Sequence, residues 1–250
     1  MTVSPVEIIN PRGMGRVVLI CEHASNRIPA TYAGLGLTVK DRDSHAAWDP
    51  GARALALQLS KALDAPVVAS TVSRLVYDCN RPPDAPGAMP EKSELIEVPG
   101  NKNLTPDARN ARADAVYGPF CAAVAQVLDA RGPDVAVVTV HSFSPTFYGQ
   151  LRAVELGLLN DEDSRLADLM LERADTLALR RIERNQPYGP EDGVTHSLKI
   201  HAVKRDLANV MLEVRNDLLR TQEDIAAMAQ DILTLLEPAL EQMILKEISS

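Results

Sequence analysis

Cysteine is scarce in this sequence. The three cysteines, Cys21, Cys79 and Cys121, are an odd number and lie far apart, and no two of them form a CxxC pair. This spacing argues against a disulfide framework and against a cysteine zinc site, because both need paired or closely spaced cysteines. We therefore expect reduced thiols that are mostly buried.

Aromatic residues, long apolar runs and excess positive charge are also lacking. Three Phe, five Tyr and one Trp offer little for base stacking, and a net charge of −8 disfavours nucleic acid as a partner. No apolar run approaches the ~20 residues that cross a bilayer. The first residues, MTVSPVEIINPRGMGR, have no basic stretch followed by an apolar core. We therefore predict a cytoplasmic protein that binds neither membranes nor nucleic acid.

The composition is otherwise that of a globular protein. Hydrophobic residues make up 46% of the chain and charged residues 24%. At 250 residues, the chain is long enough for one sizeable domain with a well-filled core. We predict a single domain over residues 1–250.

Strand and helix patterns alternate along the chain. Short β-rich runs predict strands over 16–21, 65–69, 74–79, 135–140 and 210–214. Apolar residues at helical spacing predict helices over 51–63, 105–131 with a bend at Pro119, 162–178 and 222–246. A long proline-rich loop spans 81–104. This alternation predicts an α/β fold with an open, mainly parallel sheet and helices on both faces.

Four of these strands end in or near a polar cluster. The clusters read CEHASN, YDCNRP, VHSFSP and LEVRND. Because ligands of open α/β sheets bind beyond the carboxyl ends of the strands, we expect the four clusters to converge there.

Two histidines, His23 and His141, each follow an apolar strand. Two imidazoles held at strand ends favour a divalent-metal site over two unrelated hydrogen-bonded histidines, and a catalytic zinc commonly adds one carboxylate to two histidines. Glu22, Asn26 and Asp49 are the candidates for the third ligand. Asp49 precedes a proline and is equally an ordinary helix cap, and Glu22 would point to the face opposite His23.

The stretch SRLVYDCNRP places Arg74 and Arg81 at its two ends, with Asp78 and Asn80 between them. Arginine pairs with carboxylates in a bidentate manner, so two arginines near a metal indicate a small acidic substrate. The alternative is a surface salt bridge, either between Arg81 and Asp78 or between Arg74 and an aspartate.

Glu213 lies inside an apolar strand, where an unpaired carboxylate is costly to desolvate. Either it pairs with Arg215, or its pKa is raised for acid–base work beside a metal. His196 and His201 lie in a polar segment before this strand, where a histidine either assists the site or is simply exposed.

Taken in order, the motifs CEHASNRIP, WDPGA, SRLVYDCNRP, VHSFSP, RNQPY and LEVRNDL resemble those of the N-formylglutamate amidohydrolase family. Members of that family are related in fold to zinc carboxypeptidases and aspartoacylases. The resemblance implies a three-layer fold with a mainly parallel or mixed sheet. It also implies a zinc-dependent or other divalent-metal hydrolase that cleaves the formyl amide of N-formyl-L-glutamate to formate and glutamate.

The resemblance also implies roles for single residues. His23 and His141 match the metal-binding histidines, the Asn80–Arg81 pair matches the pair that grips the substrate carboxylate, and Glu213 matches the general base. Arg74 or Arg215 would then hold a second carboxylate. Asn26 stands where the wider superfamily has a metal-binding Glu, so either Asp49 supplies the carboxylate as third ligand or metal binding is weakened. The residues expected to support the site are Glu22, Asn26, Asp78, Ser142 and His201.

Two rival functions stay open at this stage. One keeps the fold and the metal but acts on another N-acyl amino acid or small amide, in a pocket that the proline-rich loop and the segment HSFSPTFYGQLR would shape. The other is a non-catalytic binding protein on the same fold, which Asn26 favours. The oligomeric state is left open.

Overall fold

A mixed seven-stranded sheet forms the centre of the protein, seen in a computed structural model that describes residues 3–248. The strands, in chain order, are β1 (Val6–Ile9), β2 (Val17–Cys21), β3 (Val67–Ser70), β4 (Lys92–Ser93), β5 (Ile96–Glu97), β6 (Ala136–Phe143), β7 (Thr146–Phe147), β8 (Gln150–Leu151), β9 (Leu156–Leu159), β10 (Ile182–Arg184) and β11 (Asn209–Arg215). Strands β4 and β5 form one small hairpin, and β7 and β8 form another.

The strand order in the sheet is β1-β3-β2-β6-β11-β9-β10. The central strands β3, β2, β6 and β11 are parallel to one another, whereas β1 pairs antiparallel with β3 and β9 pairs antiparallel with β11. The predicted sheet is therefore confirmed as mixed, with a parallel centre.

Helices cover both faces of this sheet and make three layers. They are α1 (Val39–Asp43), α2 (Ala52–Leu63), α3 (Pro106–Arg112), α4 (Gly118–Arg131), α5 (Arg165–Leu171) and α6 (Gln222–Ile248). Alternate residues of β2 divide between the two faces: Leu19 packs into the core under α2, α5 and α6, and Ile20 packs into the core under α4. Because both faces of the sheet are covered, the side chains of the central strands are almost all buried, and most of them are apolar.

The helix predicted over 105–131 begins and ends where the sequence indicates. The Thr105 hydroxyl accepts a hydrogen bond from Ala108 N, and the helix stops at Gly132, whose φ is 76°. Between α3 and α4 the chain makes a π-helical turn, Ala113–Tyr117, just before Pro119. Proline cannot donate a hydrogen bond, so the regular α pattern is interrupted at this point.

The predicted strand over 74–79 is wrong, because this segment is a series of turns. Val76 N donates to Ser73 O, and Asp78 N donates to Ala88 O, so the backbone bonds to itself and to a loop instead of to the sheet. Its apolar residues are nevertheless buried in the core under α4. Burial by loops and helices, and not by strand pairing, explains the apolar pattern.

Other element boundaries also differ from the prediction. The helix expected over 162–178 is only α5 followed by a 3₁₀ turn, Ala174–Leu177, and just before α5 Arg165 N donates to Asp163 Oδ1. Strand β6 continues past His141 to Phe143. The short strands β1, β9 and β10 escape prediction. Within residues 3–248, no helix is long and apolar enough to span a membrane.

Candidate functional site

Three neighbouring strands deliver polar side chains to one edge of the sheet. His23 follows the end of β2 by two residues, His141 lies near the end of β6, and Glu213 lies in β11. Glu213 stands directly beside His141 in the parallel register. Residues in register point to the same face of a sheet, so Glu213 and His141 share one side of this edge.

Asp49 reaches the same place from the loop before α2. Its backbone N–H donates to His23 O (3.0 Å), and Ser142 Oγ donates to the neighbouring Pro50 O (2.8 Å). Gly51, with φ of 86°, begins the helix without any side-chain cap. A side chain at this glycine would meet Leu219 Cβ at 2.4 Å. Asp49 therefore does not cap the helix, and its carboxylate is turned toward the histidines.

The donor atoms of His23, Asp49 and His141 form a small triangle. His23 Nδ1 and His141 Nδ1 are 3.2 Å apart, and they lie 3.2 and 3.0 Å from Asp49 Oδ2. All three residues are buried. Metal–ligand bonds of zinc, at about 2.0–2.2 Å, place tetrahedral donors about 3.3 Å apart, so the triangle fits such an ion.

Carboxylates stand behind both imidazole rings. His23 Nε2 lies 2.7 Å from Asp78 Oδ1 in a hydrogen bond. His141 Nε2 lies 3.1 Å from Glu22 Oε2, although the angle is not that of a hydrogen bond. A proton on each Nε2 leaves both Nδ1 lone pairs facing the Asp49 carboxylate. These electron-rich groups repel one another unless a cation lies between them. The donor set therefore fits a divalent metal.

The charges around the triangle attract positive charge. Burial lowers the pKa of His141, but Glu22 and Asp49 outweigh it and raise the pKa well above its ordinary value. Burial likewise opposes ionisation of Asp49, yet His23 and His141 hold the pKa of this carboxyl below its usual range. Protons can occupy the histidines in place of a metal, so the two compete for this group of side chains.

The Asp78 carboxylate contacts several residues in and around the turns that replace the predicted strand. Besides His23, its carboxylate accepts from Asn80 N (2.9 Å) and from Arg74 Nη2 (2.8 Å). Arg74 Nη1 also lies 3.4 Å from Asp49 Oδ1. Arg74 thus joins two buried carboxylates of the site, and the alternative of a surface salt bridge is wrong for it.

Asn80 and Arg81 are fixed to the segment 192–197 on the far side of the cavity. Asn80 Oδ1 accepts from Ser197 N (2.9 Å), and its amide donates to Val194 O. Arg81 Nη1 donates to Asp192 O (2.6 Å). Within the described side chains Arg81 has no carboxylate partner, so its charge remains available to an anion.

Glu213 is almost fully buried and does not pair with Arg215. Burial raises the pKa of Glu213 to about 7, and His141 acts in the opposite direction. Its Oε2 atom has no hydrogen-bond partner within the described part of the chain. A carboxyl with a pKa near neutrality can take up and release a proton under ordinary conditions.

A cavity of about 390 Å³ opens beside this group. Its polar lining includes the triangle, Arg74, Asp78, Asn80, Arg81, Ser142 and Glu213. Four aromatic side chains form another part of the wall: Phe143, Phe147, Tyr148 and Tyr188. Both segments expected to shape the pocket contribute to the lining. The proline-rich loop contributes Arg81, Lys92, Ser93 and Glu94, and HSFSPTFYGQLR contributes six residues between His141 and Tyr148.

Four predicted residues, Glu22, Asn26, Arg215 and His201, lie outside this lining, Glu22 because it stands behind His141. Asn26 donates to Arg42 O and to Asp43 Oδ1, away from the histidines, so it is not a ligand. Arg215, predicted as a possible substrate contact, forms ion pairs with Asp217 and Glu155. His201 is buried in a π-helical turn, Leu198–Ala202, and is not an exposed loop residue.

Sequence reasoning did not single out Tyr188, Phe143 or the His45–Glu94 pair, whose side chains meet at 2.9 Å on the cavity wall. Tyr188 lies in the motif RNQPY, which was the available signal for it. Phe143 and Glu94 lie in the two segments expected to shape the pocket, whereas nothing in the local sequence marks His45 as cavity lining.

Comparison with known proteins is informative once this geometry is known. A model of the family described as N-formylglutamate amidohydrolase matches residues 15–220. A gene product from Agrobacterium tumefaciens of known crystal structure is 48% identical, with a TM-score of 0.94 and 96% of each chain covered. The N-formylglutamate amidohydrolase from Ralstonia eutropha JMP134 is 20% identical, with a TM-score of 0.69, covering 95% of this chain and 97% of that one. This second likeness concerns the fold alone. Among curated proteins, none matches the chain.

Proposed function

The chain belongs to the N-formylglutamate amidohydrolase family, as its motifs predict, and from this premise we propose that it hydrolyses the formyl amide of N-formyl-L-glutamate. The products are formate and glutamate. The observation that carries the proposal is the convergence of the His23, Asp49 and His141 donors beside a buried carboxyl, Glu213, and an unpaired guanidinium, Arg81. We take the described residues as one hydrolase domain, since a single sheet draws strands from residues 6 to 215.

His23, Asp49 and His141 would hold the metal, for which zinc is the best candidate because two histidines and one carboxylate are a common catalytic zinc set. When bound, the ion polarises the scissile carbonyl and makes water more acidic. Asp78 holds the His23 ring in the tautomer that binds through Nδ1. Glu22 stands in the matching position for His141.

Glu213 moves the proton in this proposal. Its carboxylate accepts a proton from the attacking water and passes it to the nitrogen of the leaving glutamate as the C–N bond breaks. Glu213 and the three proposed metal ligands line the same cavity, which supports their acting on one amide. Arg81, whose Nη1 donates to Asp192 O, lies next to Asn80 in the cavity lining and binds one substrate carboxylate.

The test is formate release from N-formyl-L-glutamate by the zinc-loaded protein. We expect turnover, its loss after removal of the metal by a chelator, and its return when zinc is added back. Unchanged turnover after verified metal removal would overturn the metal role.

Another N-acyl amino acid is the second candidate substrate, because the cavity of about 390 Å³ with its aromatic wall also has room for larger acyl groups. N-Acetyl and N-succinyl glutamate, tested beside the formyl compound, separate the two. If the zinc-loaded protein hydrolyses none of the three, the binding-protein alternative gains support.

A further inference from the structure

The second carboxylate of the substrate lacks an obvious partner among the residues that the sequence indicates. N-Formyl-L-glutamate carries two carboxylates, and Arg81 accounts for one. Arg74 is engaged by Asp49 and Asp78, and Arg215 is engaged by Asp217 and Glu155 outside the cavity. Neither of these two guanidinium groups is free for another anion.

Arg152 differs from Arg74 and Arg215 because its guanidinium group contacts aromatic rings instead of carboxylates. Its guanidinium lies over the rings of Phe147 (4.4 Å), Tyr188 (4.8 Å) and Phe143 (5.5 Å), measured to each ring centroid. Its Nη1 lies 3.5 Å from Ser144 O. All four of these neighbours line the cavity, and Arg152 is half-buried directly against them.

The aromatic rings fix the position of this cation without neutralising it. A ring attracts a cation through its quadrupole but carries no net charge, so the full positive charge of Arg152 persists. Within the side chains that the structure describes, Arg152 has no carboxylate within ion-pair distance. Arg81 is thus an unneutralised guanidinium group in the cavity lining beside Asn80, and Arg152 is a second one that lies against the aromatic side chains of that lining.

We propose that Arg152 is the specificity-determining residue for the second carboxylate, so that the site selects dicarboxylic N-acyl amino acids over those with a neutral side chain. This inference rests on the proposed function. The aromatic wall keeps the guanidinium in place before the substrate arrives, which reduces the entropy lost on binding.

The experiment compares N-formyl-L-glutamate with N-formyl-L-glutamine, which has nearly the same shape and one carboxylate fewer. For the wild-type protein we expect kcat/KM to favour the glutamate compound by about 10- to 100-fold, the value of a hydrogen bond to a charged group. Arg152→Gln should remove most of this preference through a higher KM for the glutamate compound. It should leave the glutamine compound unchanged.

Two further variants make the result specific. Arg152→Lys keeps the charge but not the planar fork, so its preference should fall between those of the wild type and Arg152→Gln. Arg181→Gln is the matched control, because this exposed arginine pairs with Glu183 and lies outside the cavity lining. It should behave as the wild type.

Each contrary outcome has a distinct meaning. Equal losses on both substrates in Arg152→Gln would mean that Arg152 only supports the wall, and the inference would be overturned. Equal use of both substrates by the wild type would overturn it without any variant, even if Arg152→Gln fails to fold. If the zinc-loaded wild type releases formate from neither compound, the proposed function itself fails, and the inference fails with it.

Discussion

Asp78→Asn should weaken metal binding even though Asp78 is not among the three donors. The substitution keeps the size and planarity of the side chain but removes its charge. Asp78 Oδ1 is 2.7 Å from His23 Nε2, and its other oxygen accepts from Arg74. In the variant, His23 loses the carboxylate that makes its Nδ1 a stronger donor.

The expected magnitude follows from this contact. Replacing a hydrogen bond to a charged group by a neutral one costs about 1–2 kcal/mol, which is about 5- to 30-fold in affinity. Loss of the partner behind a metal-binding histidine typically costs 10- to 100-fold. The two ranges overlap at about 10- to 30-fold, and we expect a rise of this size in the zinc Kd.

The assay is competition for zinc against a chromophoric chelator at constant pH. Glu94→Gln is the control, since it removes one negative charge from the same cavity but contacts His45 instead of His23 or His141. An Asp78→Asn protein that melts like the wild type and binds zinc equally well would refute the reasoning. An equal loss of affinity in Glu94→Gln would show that only the net charge of the cavity matters.

The remaining predictions concern protons. Because burial raises the pKa of Glu213 to about 7, kcat/KM should fall as the pH drops below 7, which gives the pH profile of kcat/KM an acidic limb. The positive charge of a bound metal shifts this limb to lower pH. Glu213→Gln should lower kcat by about 10²- to 10⁴-fold and abolish the limb, and a limb that persists in this variant would exclude Glu213 as the base. Burial also lowers the pKa of His201 to about 4 from 6.5, so the unfolded chain takes up a proton at this residue before the folded protein does. The neutral form of His201 therefore stabilises the folded protein fully above about pH 6.5. This stabilisation is lost as the pH falls, and the free energy of unfolding is lower by about 2 kcal/mol at pH 5. His201→Gln should therefore lose less stability between pH 8 and pH 5 in chemical denaturation, and an equal loss would contradict the prediction.

The features that the sequence predicts well are those that depend on neighbouring residues. His23 and His141 could be located because each directly continues an apolar strand, and a strand end fixes its next side chains with little freedom. The N-cap at Thr105 and the stop at Gly132 are local for the same reason.

The features that escape prediction depend on contacts between distant segments. The run 74–79 has the composition of a strand, but its turns form because Ser73 and Ala88 supply partners that no local pattern reveals. Asp78 becomes the partner of His23 through those same turns. Arg152 acquires its ring contacts only when the β7–β8 hairpin and Tyr188 meet.

The strand order of the sheet has a consequence for the way the protein is assembled. Strands β1, β3, β2 and β6 are adjacent and come from residues 6–143, whereas β11, β9 and β10 come from residues 156–215 and occupy the other side. During synthesis, the segment that carries His23, Asp49, Asp78 and His141 emerges before β11 exists to cover the open edge of β6. The nascent chain therefore contains every proposed metal donor before it contains Glu213. Pairing of β11 with β6 covers that edge and brings Glu213 beside His141, so one strand pairing both completes the centre of the sheet and adds the proposed proton acceptor to the site.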